Sequence, residues 1–270
     1  MCRKFQPRLT FSGTRPRTES HAAHTSQLTQ PHQGPKETST GHFWRMVWHE
    51  TGPVAVIVML TPTHETTGRE KCFQYFPADA LHGTVEVNAH DEFEDGFRAT
   101  VKLLEVTHDE KTRLTVRKLS LTAGSGESKT VWHLLFDAWP DFLIPEGEDR
   151  LALLQVIRQS VYKNSGPANP PIVHCSAGVG RSGTFIALDY LLAELADGAL
   201  DRVPGNEDRI SQLVDTLRQQ RMMMVQGEAQ FHFLYAMIKQ KWVERNAQQG
   251  YAAAQDPRKR IISSGDVGIT

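Results

Sequence analysis

Cysteine is scarce in this chain and unpaired. Only Cys2, Cys72 and Cys175 occur in 270 residues, and no two stand at CxxC spacing. That excludes a disulfide framework and a zinc ribbon. It makes a reducing compartment the default, where a free cysteine can serve as a nucleophile. Charge of one sign is lacking too. Lys and Arg number 30, Asp and Glu 31, for a formal net charge of -1. Such a balance gives no electrostatic footprint for nucleic acid. Long hydrophobic runs are also missing. The longest, Val54 to Leu60, has strand length and falls far short of the ~18 residues needed to span a bilayer. Arg3, Arg8, Arg15 and Arg17 are followed by no apolar h-region, so the sequence predicts no secretory leader. What remains is 39% hydrophobic and 23% charged residues, as in a soluble globular domain with a tail.

The first forty or so residues are rich in Arg, Ser, Thr, His, Gln and Pro, with Glu19 and Glu37 as their only acids. They show no sustained period, so residues 1–32 are expected to form a disordered head. Pro7 and Pro16 interrupt any presequence helix, and His21, His24 and His32 read as solvated polar residues rather than metal ligands. Structure is expected from His42. Val54–Leu60 reads as a buried strand and Cys72–Phe76 as a second apolar strand stopped by Pro77. Residues 84–89, 97–107 and 112–122 alternate apolar and polar like an antiparallel meander, followed by a strand over Thr130–Trp139. Leu151, Leu154, Ile157 and Val161 recur at helical spacing, and 184–195 is a strongly apolar helix. Asp208–Arg221 and Glu228–Asn246 follow as amphipathic helices, with Ile210, Leu213, Val214 and Leu217 on one face of the first. This order predicts an α/β (α+β) domain over 33–247 and a flexible tail over 248–270.

The chemistry concentrates in Ile172 to Thr184, IVHCSAGVGRSGT. A buried strand ends at Cys175, a loop of small residues follows, and Arg181 stands at a helix start. Gly178, Gly180 and Gly183 allow close backbone approach, so successive N–H groups can converge into an anion nest beside the positive end of the helix dipole. Arg181 adds a forked, permanently charged donor suited to two phosphate oxygens. The same field favours the thiolate form of Cys175, making it a nucleophile aimed at bound phosphorus and, as an exposed thiolate, sensitive to peroxide. Met222 to Met224 reads as turn and core packing rather than a metal site.

Residues 174–183, HCSAGVGRSG, resemble the phosphate loop of protein tyrosine phosphatases. Further blocks resemble the tyrosine-specific, non-receptor branch: Gln33-Gly34-Pro35, then His42 to Trp48 (HFWRMVW), Lys71 to Pro77 (KCFQYFP), Trp139-Pro140-Asp141, and Gln226 with Gln230. The resemblance implies a twisted mixed β-sheet flanked by helices, no cofactor and no metal. It implies hydrolysis of phosphotyrosine through a phosphocysteine. Cys175 attacks, Ser176, Ala177, Gly178, Val179, Gly180 and Arg181 bind the phosphate, and Asp141 protonates the leaving oxygen from a loop that closes over substrate. Asp141 then activates a water that Gln226 orients, and Ser182 hydrogen-bonds the departing thiolate. In supporting roles, Glu65 would hold Arg181, Lys71 would contact the closed acid loop, His174 would tune the thiol indirectly, and Gln230 completes the glutamine motif. The implied partners are phosphotyrosine proteins, with no nucleic acid and no membrane, met by a monomer in the cytoplasm or nucleus.

Two departures from the family pattern stand out. The family's ring-stacking Lys-Asn-Arg-Tyr motif is lacking, since the first tyrosine is Tyr75, after the Gln-Gly-Pro block. The wall around the phenol ring is therefore expected to be incomplete, which could impair activity. It also keeps open a phosphotyrosine-binding pseudophosphatase or a dual-specificity phosphatase. Leu143-Ile144-Pro145 stands where Gly-Val-Pro is usual, removing a glycine's freedom from the acid loop.

Overall fold

The apolar runs pack into one seven-stranded sheet. A computed structural model describes residues 30–255 except 80, 92, 93, 142 and 167. In chain order the elements are β1 (Gln30–Gln33), α1 (Thr40–Glu50), β2 (Val54–Met59), β3 (Thr84–Val87), β4 (Ala99–Asp109), β5 (Leu114–Ala123), β6 (Ser128–Phe136), α2 (Glu148–Lys163), β7 (Ile172–Cys175), α3 (Gly180–Ala196), α4 (Arg209–Gln220) and α5 (Glu228–Gln255). The strand order is β1-β7-β2-β6-β5-β4-β3. Pairing is parallel from β1 through β7 and β2 to β6, and antiparallel from β6 through β5 and β4 to β3.

β2 is sandwiched on both faces, which is why it reads as an unbroken apolar run. Val56 and Val58 face a core shared with α2, α3, α4 and α5, whereas Ala55, Ile57 and Met59 face a second core shared with α1 and the meander. The four parallel strands all end at one sheet edge. Their C-terminal exits deliver Gly34, Thr61, the Trp139–Asp141 turn and Cys175 to one place, as in other open α/β sheets.

The meander, the helix faces of α4 and the α/β class hold as expected. Ile210, Leu213, Val214 and Leu217 are all buried, and Asp208 caps α4 by accepting the Ser211 N–H at 3.0 Å. Other expectations need correction. The expected disordered head cannot reach 32, because Gln30–Gln33 pairs with β7; residues 1–29 lie outside the described residues, as do Cys2, His21 and His24. His32 sits in β1 rather than in a solvated tail, and burial, helped by Arg221, pushes its pKa down to about 4. The expected tail from 248 begins as helix, since α5 runs to Gln255. Cys72, Tyr75 and Phe76 are buried, but the segment forms no strand, because its backbone bonds go to loops: Cys72 N–H to the Thr63 carbonyl and Phe73 N–H to that of Pro35. On α2, Leu151 and Val161 face solvent at 58% and 52% exposure. Leu154 and Ile157 are buried as expected, and the buried face also takes in Ala152, Leu153, Val156 and Ser160, whose small members let the helix lie close on the sheet. Only Met224 of the methionine run is core; Met222 and Met223 are exposed.

Candidate active site

Cys175 closes β7, and its sulfur accepts the Gly178 N–H at 3.2 Å. The turn that makes this possible needs glycine. Gly178 has φ +73°, and a Cβ there would stand 2.2 Å from the His32 carbonyl oxygen of β1. α3 begins at Gly180, so its first N–H groups, free of intrahelical partners, face the loop. At Gly183 a Cβ would meet the Val225 nitrogen at 2.5 Å, so the loop before α5 can press against this helix start. That loop is itself strained, with left-handed backbone at Met223 (φ 67°) and Val225 (φ 56°). Arg218 clamps it by donating to the Met224 and Val225 carbonyls, both at 3.0 Å.

Arg181 is 5% exposed, and both of its terminal nitrogens are engaged. Nη1 donates to the Trp139 carbonyl at 3.1 Å, and Nη2 donates to Thr61 Oγ1 at 3.3 Å. Nη2 also pairs with Asp141 Oδ1 at 2.5 Å. The other Asp141 oxygen pairs with Lys71, whose ammonium also holds Glu65. These contacts raise the Lys71 pKa, the bond to Asp141 first and that to Glu65 second, and the bond to Lys71 lowers that of Glu65. The expected contact of Lys71 with the acid loop is thus present. The expected Glu65–Arg181 contact is not: Glu65 binds Lys71 and the Thr67 hydroxyl, and Arg181 takes its carboxylate from Asp141. The acid loop is closed. Trp139 is buried and donates its ring N–H to the Leu143 carbonyl at 3.1 Å. Under the loop Cys175 is 2% exposed rather than open to solvent, which corrects the expectation of an exposed thiolate.

Ser182 is fully buried, and its hydroxyl has no hydrogen-bond partner. Ser176 donates its hydroxyl to the Lys71 carbonyl at 3.1 Å, tying the phosphate loop to the Glu65–Lys71 loop. Gln230 is buried, packs against Gly180 and accepts the Gly227 N–H, while Gln226 lies exposed at the mouth. His174 is buried on the opposite face of β7 from Cys175, bonded to the Tyr75 hydroxyl, and its pKa is pushed down to about 4, mainly by burial. Cys72 is a buried thiol pushed up to about 12 by burial, inert rather than reactive. Reading the sequence alone missed Thr61, His133 and Arg218. No local motif marks them, because each acts through a strand or loop distant in the chain. Among the described residues there is no group of three His, Cys, Asp or Glu side chains that could hold a metal ion, and no helix is long and apolar enough to cross a membrane.

A buried cysteine below a helix start, an arginine held at both terminal nitrogens and an aspartate from the neighbouring loop make an arrangement suited to a phosphate-monoester hydrolase. A family model described as protein-tyrosine phosphatase matches residues 29–240, and the chain belongs to that family. Tyrosine-protein phosphatase 1 of Saccharomyces cerevisiae is 38% identical over 229 residues, covering 77% of this chain and 67% of the relative. Tyrosine-protein phosphatase 2 of Schizosaccharomyces pombe is 37% identical over 76% of this chain, which spans only 27% of that relative. A human relative named phosphatidylinositol phosphatase PTPRQ is 35% identical, and this chain spans 9% of it. The solved Trypanosoma cruzi protein tyrosine phosphatase TcPTP1 shares the fold with a TM-score of 0.65 at 24% identity, over 77% of this chain and 66% of that one. The enzyme class is accordingly that of the protein-tyrosine phosphatases.

Proposed function

We propose that this chain hydrolyses phosphotyrosine in protein substrates through a phosphocysteine intermediate. The observation that carries the reading is the convergence of Cys175, Arg181 and Asp141 at the exits of the parallel strands β7 and β6. Substrate phosphate takes the Arg181 fork and the loop N–H groups, which releases the Asp141 carboxylate from Arg181 to take up a proton from water and turn toward the leaving oxygen. The Cys175 thiolate attacks phosphorus, the P–O bond to the phenol breaks, and Asp141 gives its proton to that oxygen. Asp141, now a carboxylate, takes a proton from a water that Gln226 orients. That water breaks the S–P bond, releasing inorganic phosphate and the thiolate. Ser182, whose buried hydroxyl has no other partner, donates to the departing sulfur.

No step calls for a cofactor, since positioning and fixed charge supply the stabilisation. We place this activity in the cytoplasm, acting on phosphoproteins as a monomer. The test is turnover of phosphotyrosine, phosphothreonine and phosphoinositide substrates by purified chain. Phosphotyrosine hydrolysis is expected to vanish in Cys175→Ser and to fall by about a hundredfold or more in Asp141→Ala, with substrate still bound. Preference for phosphothreonine would make this a dual-specificity enzyme. Binding without single-turnover phosphate release would make it a phosphotyrosine-binding pseudophosphatase with an impaired pocket.

A further inference from the structure

We propose that His133 is a positioning residue for the phosphate loop, acting through a one-way hydrogen-bond chain from His133 to Tyr75 to His174 to the Cys175 carbonyl. The inference rests on the Cys175 loop being the phosphate site. The Tyr75 hydroxyl lies 2.7 Å from His174 Nε2 and 3.0 Å from His133 Nε2. All three side chains are fully buried, so water cannot substitute for either partner.

The direction of the chain follows from counting protons. A backbone carbonyl only accepts, and His174 Nδ1 lies 3.2 Å from the Cys175 carbonyl oxygen. Nδ1 of His174 therefore carries the hydrogen. Its burial keeps the ring neutral near pH 7, which leaves Nε2 bare to accept the Tyr75 O–H. Having spent its one proton there, the Tyr75 oxygen must accept, so His133 Nε2 carries a hydrogen and donates. His133 Nδ1 is then a bare lone pair, and it is the His133 atom that is buried without a partner. The reverse order would set two lone pairs against each other at the Cys175 carbonyl. It would also leave an orphan N–H at His133, a costlier defect than an unused lone pair.

The groups around the chain favour neutral rings. Arg117, cross-strand partner of His133, places its guanidinium 4.7 Å from the Phe76 ring centroid, and that ring lies 4.2 Å from His133. Burial first, then the charges of Arg117 and His174, hold His133 well below its usual pKa. Cys72 faces Tyr75, and His32 and Arg181 face His174, adding no anion on that side.

The chain ends on a peptide group that matters. In a trans peptide C=O and N–H point in opposite directions. Drawing the Cys175 carbonyl toward His174 turns the Ser176 N–H the other way, into the loop where phosphate is proposed to bind. His133 thus orients a phosphate donor without touching phosphate.

The test is the tautomer of each ring in the full, ¹⁵N-labelled chain at pH 7, with His133→Gln used for assignment. We expect Nδ1–H on His174 and Nε2–H on His133. An Nε2–H on His174 overturns the proposal, whether or not the chain turns over substrate. A second arm compares His133→Gln, which keeps an N–H donor, with His133→Leu, both checked for folding by circular dichroism. Inorganic phosphate as competitive inhibitor should bind about tenfold more weakly to the Leu variant, and within about threefold of wild type to the Gln variant. Equal affinities in the two variants would reduce His133 to packing and refute the positioning role. Should the Leu variant not fold, the tautomers decide.

Discussion

Lys71→Met isolates what holds the acid loop shut. Asp141 has two cationic partners in the closed loop, Arg181 at 2.5 Å and Lys71. Substrate phosphate competes for Arg181, so Lys71 is the partner that persists during turnover. The Lys71 side chain is 13% exposed and that of Asp141 29%. An exposed pair is worth under ~1 kcal/mol, and a hydrogen bond to a charged group about 1.5–3 kcal/mol. This half-buried pair belongs between them, at about 1.4 kcal/mol, so its loss lowers the closed-to-open ratio about tenfold. The variant should remain folded, because the Lys71 backbone keeps its bonds to the Thr63 carbonyl and the Ser176 hydroxyl. The deficit should follow the need for an acid. Phenyl phosphate, with a poor leaving group, should lose about tenfold in kcat/KM, and p-nitrophenyl phosphate less than about threefold. Lys71→Arg should restore most of the difference. Equal losses on both substrates, or none on phenyl phosphate, would show that Lys71 does not act through Asp141.

Other parts of the site respond differently. Thr61→Val removes the hydroxyl that accepts from Arg181 Nη2 and should weaken phosphate inhibition about threefold to tenfold, with Thr61→Ser restoring it; unchanged inhibition would show that the Trp139 carbonyl suffices. Gly183→Ala puts a methyl 2.5 Å from the Val225 nitrogen and should cost several kcal/mol, roughly 2–4, in urea unfolding; a loss below ~1 kcal/mol would mean that the loop yields freely. Arg218→Ala frees the Met224 and Val225 carbonyls and should slow phosphoenzyme hydrolysis more than phosphoenzyme formation, seen as a larger burst relative to steady state; equal slowing would separate this clamp from Gln226. Stability should fall on mild acidification. His32 and His174 have folded pKa values of about 4 against 6.5, so the unfolded chain binds more protons in between. Their contribution is complete above pH 6.5 and lost as pH falls toward 4, about 3 kcal/mol for each ring. A urea midpoint that stays flat from pH 7 to 4.5 would contradict neutral burial of these histidines.

How far the site was legible in the sequence depends on how local each part is. The run from His174 to Gly183 carries its own geometry. A strand end, glycines and a helix start are successive residues, and the sulfur, the turn and Arg181 follow from them directly. Trp139-Pro140-Asp141 was legible as a block, though its meeting with Cys175 needs the sheet order to bring β6 and β7 to either side of β2. The expectation for Glu65 failed because carboxylates are interchangeable at an arginine. Which one reaches Arg181 depends on where the acid loop lies, and with the loop closed Asp141 reaches it while Lys71 holds Glu65. The stripe of α2 was legible at Leu154 and Ile157 but not at its ends, Leu151 and Val161, because Leu and Val outrank Ala and Ser on any hydrophobic scale. Close packing instead favoured the side of α2 carrying Ala152 and Ser160.

The residues that sequence reading did not find share one origin. Thr61 looks like a polar residue after an apolar run, and His133 looks like an interruption within one. Both become intelligible only from the sheet. Thr61 lies just beyond β2, the strand between β6 and β7, so its hydroxyl meets Arg181 next to the Trp139 carbonyl. His133 lies one strand further on, in β6, on the face that β7 gives to His174. β2 fills the gap between the two histidines with Met59, and the Tyr75 hydroxyl, 4.0 Å from the Met59 sulfur, bridges it. A polar residue in an apolar strand is expensive unless it is paired, so His133 in β6 already signals a buried partner. The partner can be identified only when the strand two places away is known, and parallel pairing through a distant crossover hides that neighbour from any local pattern.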